Sequence, residues 1–146
     1  MNMTKVIQLE KDVFVAPQLV EGDFAELASS GFSSVVNNRP DGEAPDQLQT
    51  AGAAAAADRQ GLAFRYLPIE YPNVTDDDLV SAFAGLMKDL PGPILFYCRS
   101  GNRCTTLWAQ VAVKRLGVDK TLEIAAAAGF DLGRLRDRLA ARAGGG

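Results

Sequence analysis

Apolar positions along the chain switch repeatedly between a strand-like period and a helical period. Residues 5–16 alternate imperfectly between apolar and polar, which predicts an edge strand or a hairpin. Further strands are predicted at 32–36, 62–69 and 93–97. Helices are predicted at 23–30, 45–60, 75–90, 105–116, 118–128 and 131–143. Strands that alternate with helices predict one α/β domain with a central, mostly parallel sheet flanked by helices.

The composition fits a single domain, and it limits the partners and the cellular location that we expect. The chain has 146 residues, of which 47% are hydrophobic and 23% charged, as in ordinary globular domains. We expect the domain to span residues 1–143 and the glycines 144–146 to form a frayed tail. The net charge of −3 argues against nucleic acid or an anionic membrane as partner. No apolar run resembles a membrane span or a leader, which predicts a cytoplasmic protein.

The strongest chemical signal follows the strand at 93–97, which ends at Cys98. The next four positions, before Arg103, are occupied by Arg99, Ser100, Gly101 and Asn102. A strand, a short loop and a helix in succession direct backbone N–H groups and the positive end of the helix at one point. That environment favours a thiolate. We therefore predict Cys98 as nucleophile, Arg103 as its catalytic partner and the four intervening residues as an anion-binding loop.

The chain has two cysteines and no histidine. No imidazole can therefore activate Cys98, and the thiolate must depend on local positive potential. The ligands for a zinc site are lacking, so we expect neither a metal nor another cofactor. Cys104 allows two interpretations: a structural thiol packed beneath the loop, or a resolving thiol that bonds to Cys98 in a redox or anion sensor. The spacing permits the second and favours the first.

A turn-rich connection at 37–43 follows the strand at 32–36. In a parallel sheet it would lie at the same edge as the Cys98 loop. Arg39 is then a candidate for the rim of an anion site, and Asp41 or Glu43 for orienting an arginine. The alternative is a solvated turn with its tip at 41–42.

The loop length separates two kinds of chemistry. Tyrosine-type phosphatases have five residues between cysteine and arginine, whereas rhodanese-type sulfurtransferases have four, as here. A shorter ring of amides suits the terminal sulfur of a persulfide better than a phosphate. Tyr71 falls where a phosphatase would carry its acidic residue, and nothing in the spacing requires Glu70 or Asp76 to replace it. Sulfur transfer is the main prediction, with phosphate-ester hydrolysis through a phosphocysteine as the alternative.

Taken whole, the chain resembles the phosphatase-like domain of the bacterial beta-lactamase hydrolase-like proteins, a family also described as sulfurtransferases. The resemblance rests on segments 31–43, 91–93, 98–109 and 128–132. It implies a tyrosine-phosphatase-like fold with a rhodanese-length loop, and it supports Arg39 and Asp41 as rim residues. It also implies a role in persulfide metabolism, with a persulfide dioxygenase as partner. Cys104 departs from the serine expected at its position.

The predicted reaction begins when the Cys98 thiolate attacks the outer sulfur of thiosulfate or of a low-molecular-weight persulfide. Arg103, Arg99 and the loop amides hold this small anionic donor. The resulting persulfide passes its sulfur to an acceptor thiol or to cyanide. Any such enzymatic role requires the thiol of Cys98 to face a cavity, with Arg103 directed towards it.

Overall fold

The computed structural model describes residues 5–144. Residues 1–4 of the predicted domain and 145–146 of the predicted tail lie outside this range. The strands are β1 (Ile7–Glu10), β2 (Val13–Ala16), β3 (Ser34–Asn37), β4 (Ala63–Tyr66) and β5 (Ile94–Tyr97). The helices are α1 (Asp23–Ser29), α2 (Thr50–Arg59), α3 (Asp77–Asp89), α4 (Asn102–Leu116), α5 (Val118–Ala127) and α6 (Arg136–Ala143). Short 3₁₀ turns occupy Tyr71–Asn73 and Gly133–Leu135.

The strands form one sheet in the order β1-β2-β5-β3-β4. The tight connection between β1 and β2 makes them an antiparallel hairpin, while β2, β5, β3 and β4 pair in parallel through helical crossovers. The predicted α/β class with a mostly parallel sheet is confirmed. Since β5 is the central strand, its carboxyl end lies in the middle of the edge where open α/β sheets bind ligands.

Each face of the sheet is covered by helices, which gives two separate cores. Successive residues of β5 point to opposite faces, so that Leu95 packs with α1 and α2 while Phe96 packs with α3 and α4. Helix α4 is the most enclosed helix of the second core, and its Trp108 and Leu107 are fully buried among α3, α5 and α6. This burial fixes the start of α4 against the end of β5.

Two predicted helices are shorter than their sequence patterns indicate. The second begins at Thr50 instead of residue 45 because side chains bond the preceding backbone: Gln47 donates to the Pro40 carbonyl (2.9 Å) and Asp41 accepts from the Thr50 amide (2.7 Å). The last helix begins at Arg136, after the 3₁₀ turn. Asp131, the predicted cap, accepts from the Gly133 amide (2.9 Å), the first residue of that turn, which places it before the turn and not at the start of α6. Polar side chains thus shorten both helices.

Candidate active site

The Cys98 loop is shaped by Gly101, which precedes α4. Its φ of 94° lies in the left-handed region that favours glycine. A Cβ at this position would lie 3.2 Å from the Phe130 ring and 3.6 Å from the Ala16 backbone. The loop is also tied to β2 through the Cys98 amide, which donates to the Ala16 carbonyl (3.3 Å). The backbone conformation of Gly101 and the close packing around it therefore both require a glycine.

The Cys98 sulfur is surrounded by hydrogen-bond donors. Donation from the Cys104 thiol is the largest influence that lowers its pKa, followed by the amides of Cys104 and Gly101 and by the charge of Arg103. The Gly101 amide lies 3.2 Å from the sulfur. Together these outweigh the opposing effect of burial and lower the pKa of Cys98 to about 6. Cys98 is therefore mostly a thiolate at neutral pH.

Cys104 lies in the first turn of α4 and is fully buried. Burial, and to a lesser extent the neighbouring Cys98, raise its pKa well above the usual range of a thiol. It therefore stays protonated and can donate to Cys98. Both cysteines are free. Cys104 also affects the chemistry of Cys98, because its thiol lowers the pKa of Cys98, an effect that neither predicted interpretation included.

Arg103 is held rigidly by Glu43. Its guanidinium donates to both carboxylate oxygens (2.8 and 2.9 Å) and to the Ile69 carbonyl (2.8 Å), and the Tyr71 ring centroid lies 4.4 Å from its central carbon. The Nε of Arg103 is buried and has no hydrogen-bond partner among residues 5–144. Because an unpaired buried donor is costly, this nitrogen is well suited to receive an anion.

Glu43 is the residue that sequence reasoning left open and the structure makes central. It also accepts from the Nε of Arg39 (2.9 Å), and donation from Arg103 is the main cause that lowers its pKa to about 2. Arg39 itself is buried and donates to Gln18 (3.1 Å). Asp41, the other candidate, instead caps α2, and its amide donates to the Tyr66 hydroxyl (2.9 Å). The spacing could not distinguish these two acids, since both lie on the same connection.

The expectation that Cys98 faces a cavity is not met, because its side chain is 0% exposed. The short loop contributes to this burial, because its Gly101 amide donates directly to the sulfur (3.2 Å). Two clefts of about 520 and 400 Å³ flank the loop, lined in part by Asn102 and by Arg99 respectively. Any reaction at the sulfur therefore requires the loop or its surroundings to open.

The segment in which a phosphatase would carry its acidic residue places no carboxyl group at the Cys98 sulfur. Ile69 and Tyr71 contact Arg103, whereas Glu70 between them is exposed and makes no side-chain bond within residues 5–144. Asp76 is also exposed, at the start of α3. The carboxylate bound to Arg103 is that of Glu43, whose low pKa keeps it ionised. In this part of the chain no carboxyl group hydrogen-bonds to Cys98.

Residues 6–114 match the family model of the beta-lactamase hydrolase-like protein, phosphatase-like domain. The chain belongs to this family. A beta-lactamase hydrolase-like protein of Xylella fastidiosa is 33% identical over 132 residues, which cover 89% of this chain and 30% of the relative. The chain thus spans less than a third of that relative's length.

Similarity to solved structures supports the same family and fold. A proposed phosphatase from Neisseria meningitidis superimposes with a TM-score of 0.83 and 30% identity, covering 93% of this chain and 96% of that one. Tk-PTP in its active form superimposes with a TM-score of 0.64 and 15% identity, covering 94% and 95% of the two chains. The predicted tyrosine-phosphatase-like fold is confirmed. These similarities favour the phosphatase alternative over the predicted sulfur transfer.

The helices were also compared with the requirements for a membrane-spanning segment. Within residues 5–144 no helix combines the length and the apolar character needed to cross a bilayer.

Proposed function

We propose that the protein is a cysteine-dependent sulfurtransferase that carries sulfane sulfur as a Cys98 persulfide. One observation carries this proposal: the Gly101 amide donates to the Cys98 sulfur (3.2 Å), whose pKa is lowered to about 6, and within residues 5–144 no carboxyl group contacts it. Hydrolysis of a phosphate ester benefits from an acid that protonates the leaving group. Sulfur transfer does not need one, because sulfite or a thiolate leaves as a stable anion.

The first step forms a bond between the Cys98 thiolate and the outer sulfur of thiosulfate or of a persulfide. The donor's own S–S bond breaks, and its electron pair leaves with sulfite or with the thiolate. Because Cys98 is 0% exposed, the loop or its surroundings open first, and the free Nε of Arg103 and the loop amides then bind the charge of the donor. In the second step an acceptor thiolate or cyanide attacks the terminal sulfur, and the Cys98 thiolate is released. No change of protonation at Cys98 is needed in either step.

The second candidate is phosphate-ester hydrolysis through a phosphocysteine. The family and the structural neighbours favour it, as described above. So does the arginine, since a guanidinium fixed by a carboxylate is a good clamp for phosphate oxygens. Against it stand the short loop and the position of Tyr71, where an acid would be needed.

The decisive experiment assays sulfur transfer and phosphate hydrolysis with the same purified protein. Thiosulfate or a persulfide with cyanide as acceptor tests the first, an aryl phosphate the second, each with Cys98→Ser as control. We expect Cys98-dependent thiocyanate formation and no aryl-phosphate turnover. Cys98-dependent phosphate release without sulfur transfer would reverse the ranking. Inactivity in both assays, with a Cys98–Cys104 bond forming under mild peroxide, would instead support the sensor.

A persulfide dioxygenase partner and a cytoplasmic location stay predictions. The partner is consistent with the greater length of the Xylella relative, of which this chain matches 30%. Its test is a coupled assay in which a purified persulfide dioxygenase consumes the persulfide that this protein forms.

A further inference from the structure

The cleft of about 400 Å³ beside the Cys98 loop is a separate feature, which we call the arginine cleft. Its walls include Gln18, Val20, Arg39, Asp46 and Arg99. The Gln18 amide donates to the Arg99 carbonyl (3.2 Å), so one wall of the cleft is bonded directly to the loop. A molecule in this cleft would therefore lie next to the anion-binding loop.

Unused positive charge faces this cleft. The side chain of Arg99 is exposed and makes no hydrogen bond or ion pair within residues 5–144. Arg39 donates through Nε to Glu43 and through Nη1 to Gln18. The carboxylate of Glu43 is occupied by arginines on both oxygens, which leaves the exposed Asp46 as the other acid of the lining. The cleft is thus able to bind an anionic group.

The volume of the cleft indicates more than a small inorganic anion. Cavities of 300–1,000 Å³ typically hold organic ligands, and about 400 Å³ far exceeds the space that thiosulfate fills. The loop amides and Arg103 provide a site for the reacting sulfur, so the cleft remains for the organic part of the donor. The unpaired guanidinium of Arg99, together with the Nη hydrogens that Arg39 does not use for Glu43 and Gln18, favours a carboxylate on that part.

We propose that the arginine cleft binds the carboxylate end of a low-molecular-weight thiol compound, with Arg99 and Arg39 as its partners, while the sulfur end reaches the Cys98 loop. The inference rests on the proposed function and specifies its substrate class: persulfides of carboxylate-bearing thiols. Neutral persulfides lack the group that these arginines recognise.

The kinetic test compares two donors of similar size, the persulfides of 3-mercaptopropionate and of 2-mercaptoethanol. Val20 is 61% exposed at the cleft wall and contacts no reacting group, so Val20→Glu and Val20→Lys change the local charge in opposite directions. We expect kcat/KM for the carboxylate donor to fall about fivefold in Val20→Glu and not in Val20→Lys. The neutral donor should change less than about twofold in both. Equal changes for the two donors would overturn the inference.

An equilibrium measurement separates this inference from the proposed function. The unreactive compounds 3-(methylthio)propionate and 2-(methylthio)ethanol would be titrated into the wild-type protein and into Arg99→Gln, with NMR shifts as readout. We expect binding of the carboxylate compound by the wild type, weakened at least fivefold in Arg99→Gln. Such binding without any persulfide turnover would support the cleft and reject sulfur transfer. Turnover without carboxylate binding would support sulfur transfer and overturn the cleft.

Discussion

The Cys104 thiol lowers the pKa of Cys98, an effect for which many cysteine enzymes use a histidine. The Cys104 thiol is fully buried, so its raised pKa keeps the proton on its sulfur across the neutral range. The same thiol is the largest cause of the low pKa of Cys98. A weak S–H donor is effective here because burial leaves no water to compete with it.

Replacement of Cys104 therefore tests how Cys98 is activated. Cys104→Ala removes the donor, and the pKa of Cys98 should rise from about 6 towards that of an ordinary thiol. Since the thiolate exists above the pKa, the loss of reactivity should be several-fold at pH 6–7 and small above pH 9. The measurement is the rate of iodoacetamide alkylation of Cys98 against pH, by mass spectrometry. Cys104→Ser, which keeps a donor, should stay near the wild type, and an unchanged profile in Cys104→Ala would refute this account.

Glu43 is the second residue whose effect can be isolated. Glu43→Gln keeps the shape but removes the charge that pairs Arg39 and Arg103, of which Arg103 is 1% exposed. We expect a loss of about 1.5–3 kcal/mol in the free energy of unfolding, the size of hydrogen bonds to charged groups. Urea denaturation measures it. Asp119→Asn, which breaks the exposed pair with Arg136, is the matched control and should cost at most about 0.5 kcal/mol. Equal losses in both variants would contradict the central role of Glu43.

Whole elements were easier to predict from the sequence than the segments that join them. The central strand and most of helix α4 follow from residue periodicity, which reports burial on one face. The hairpin was one of two interpretations of residues 5–16, and α4 begins at Asn102, before the predicted residue 105. The 3₁₀ turn Tyr71–Asn73 does not follow from periodicity, because side chains that are distant in the sequence bind the backbone of the segment after it. Gln110 donates to the Val74 carbonyl (2.7 Å), and Arg142 donates to the Thr75 carbonyl (2.7 Å). Such contacts between distant positions leave no periodic pattern in the sequence.

The junction between the loop and α4 gives a prediction at the scale of elements. Gly101→Ala puts a side chain at a φ of 94° against the Phe130 ring, and should destabilise the fold by about 1–3 kcal/mol. Gly85→Ala, inside α3 with open space around its Cα, should stabilise it by about 0.5–1 kcal/mol. Thermal and urea unfolding of both variants would measure these effects. No loss of stability in Gly101→Ala would show that the left-handed glycine is unimportant.

Across the whole molecule, the sequence was sufficient for the fold class and for the loop that carries Cys98. It was insufficient for the burial of the Cys98 sulfur and for the choice of Glu43 over Asp41. Both depend on how β2, β3 and β5 bring separate segments to one edge, which no local pattern encodes. The net charge of −3 also conceals a local concentration of arginines at this edge. The average charge of the whole surface says nothing about the binding of a small anion at one edge.

Because of this local charge, we expect anion binding to increase the free energy of unfolding of the whole protein. Sulfate, which does not react with a thiolate, should bind at the Nε of Arg103 in the folded state alone. At about one hundred times its dissociation constant, it would stabilise the fold by about 2.7 kcal/mol and raise Tm by several degrees. Sodium chloride at equal ionic strength corrects for screening.

Sulfate also strengthens folding generally, so the informative quantity is the difference between the wild type and Arg103→Lys, which should lose most of the Tm shift. Arg65→Ala, an exposed position on β4, should keep it. A full sulfate shift in Arg103→Lys would mean that the buried guanidinium is a structural group and that anions bind elsewhere.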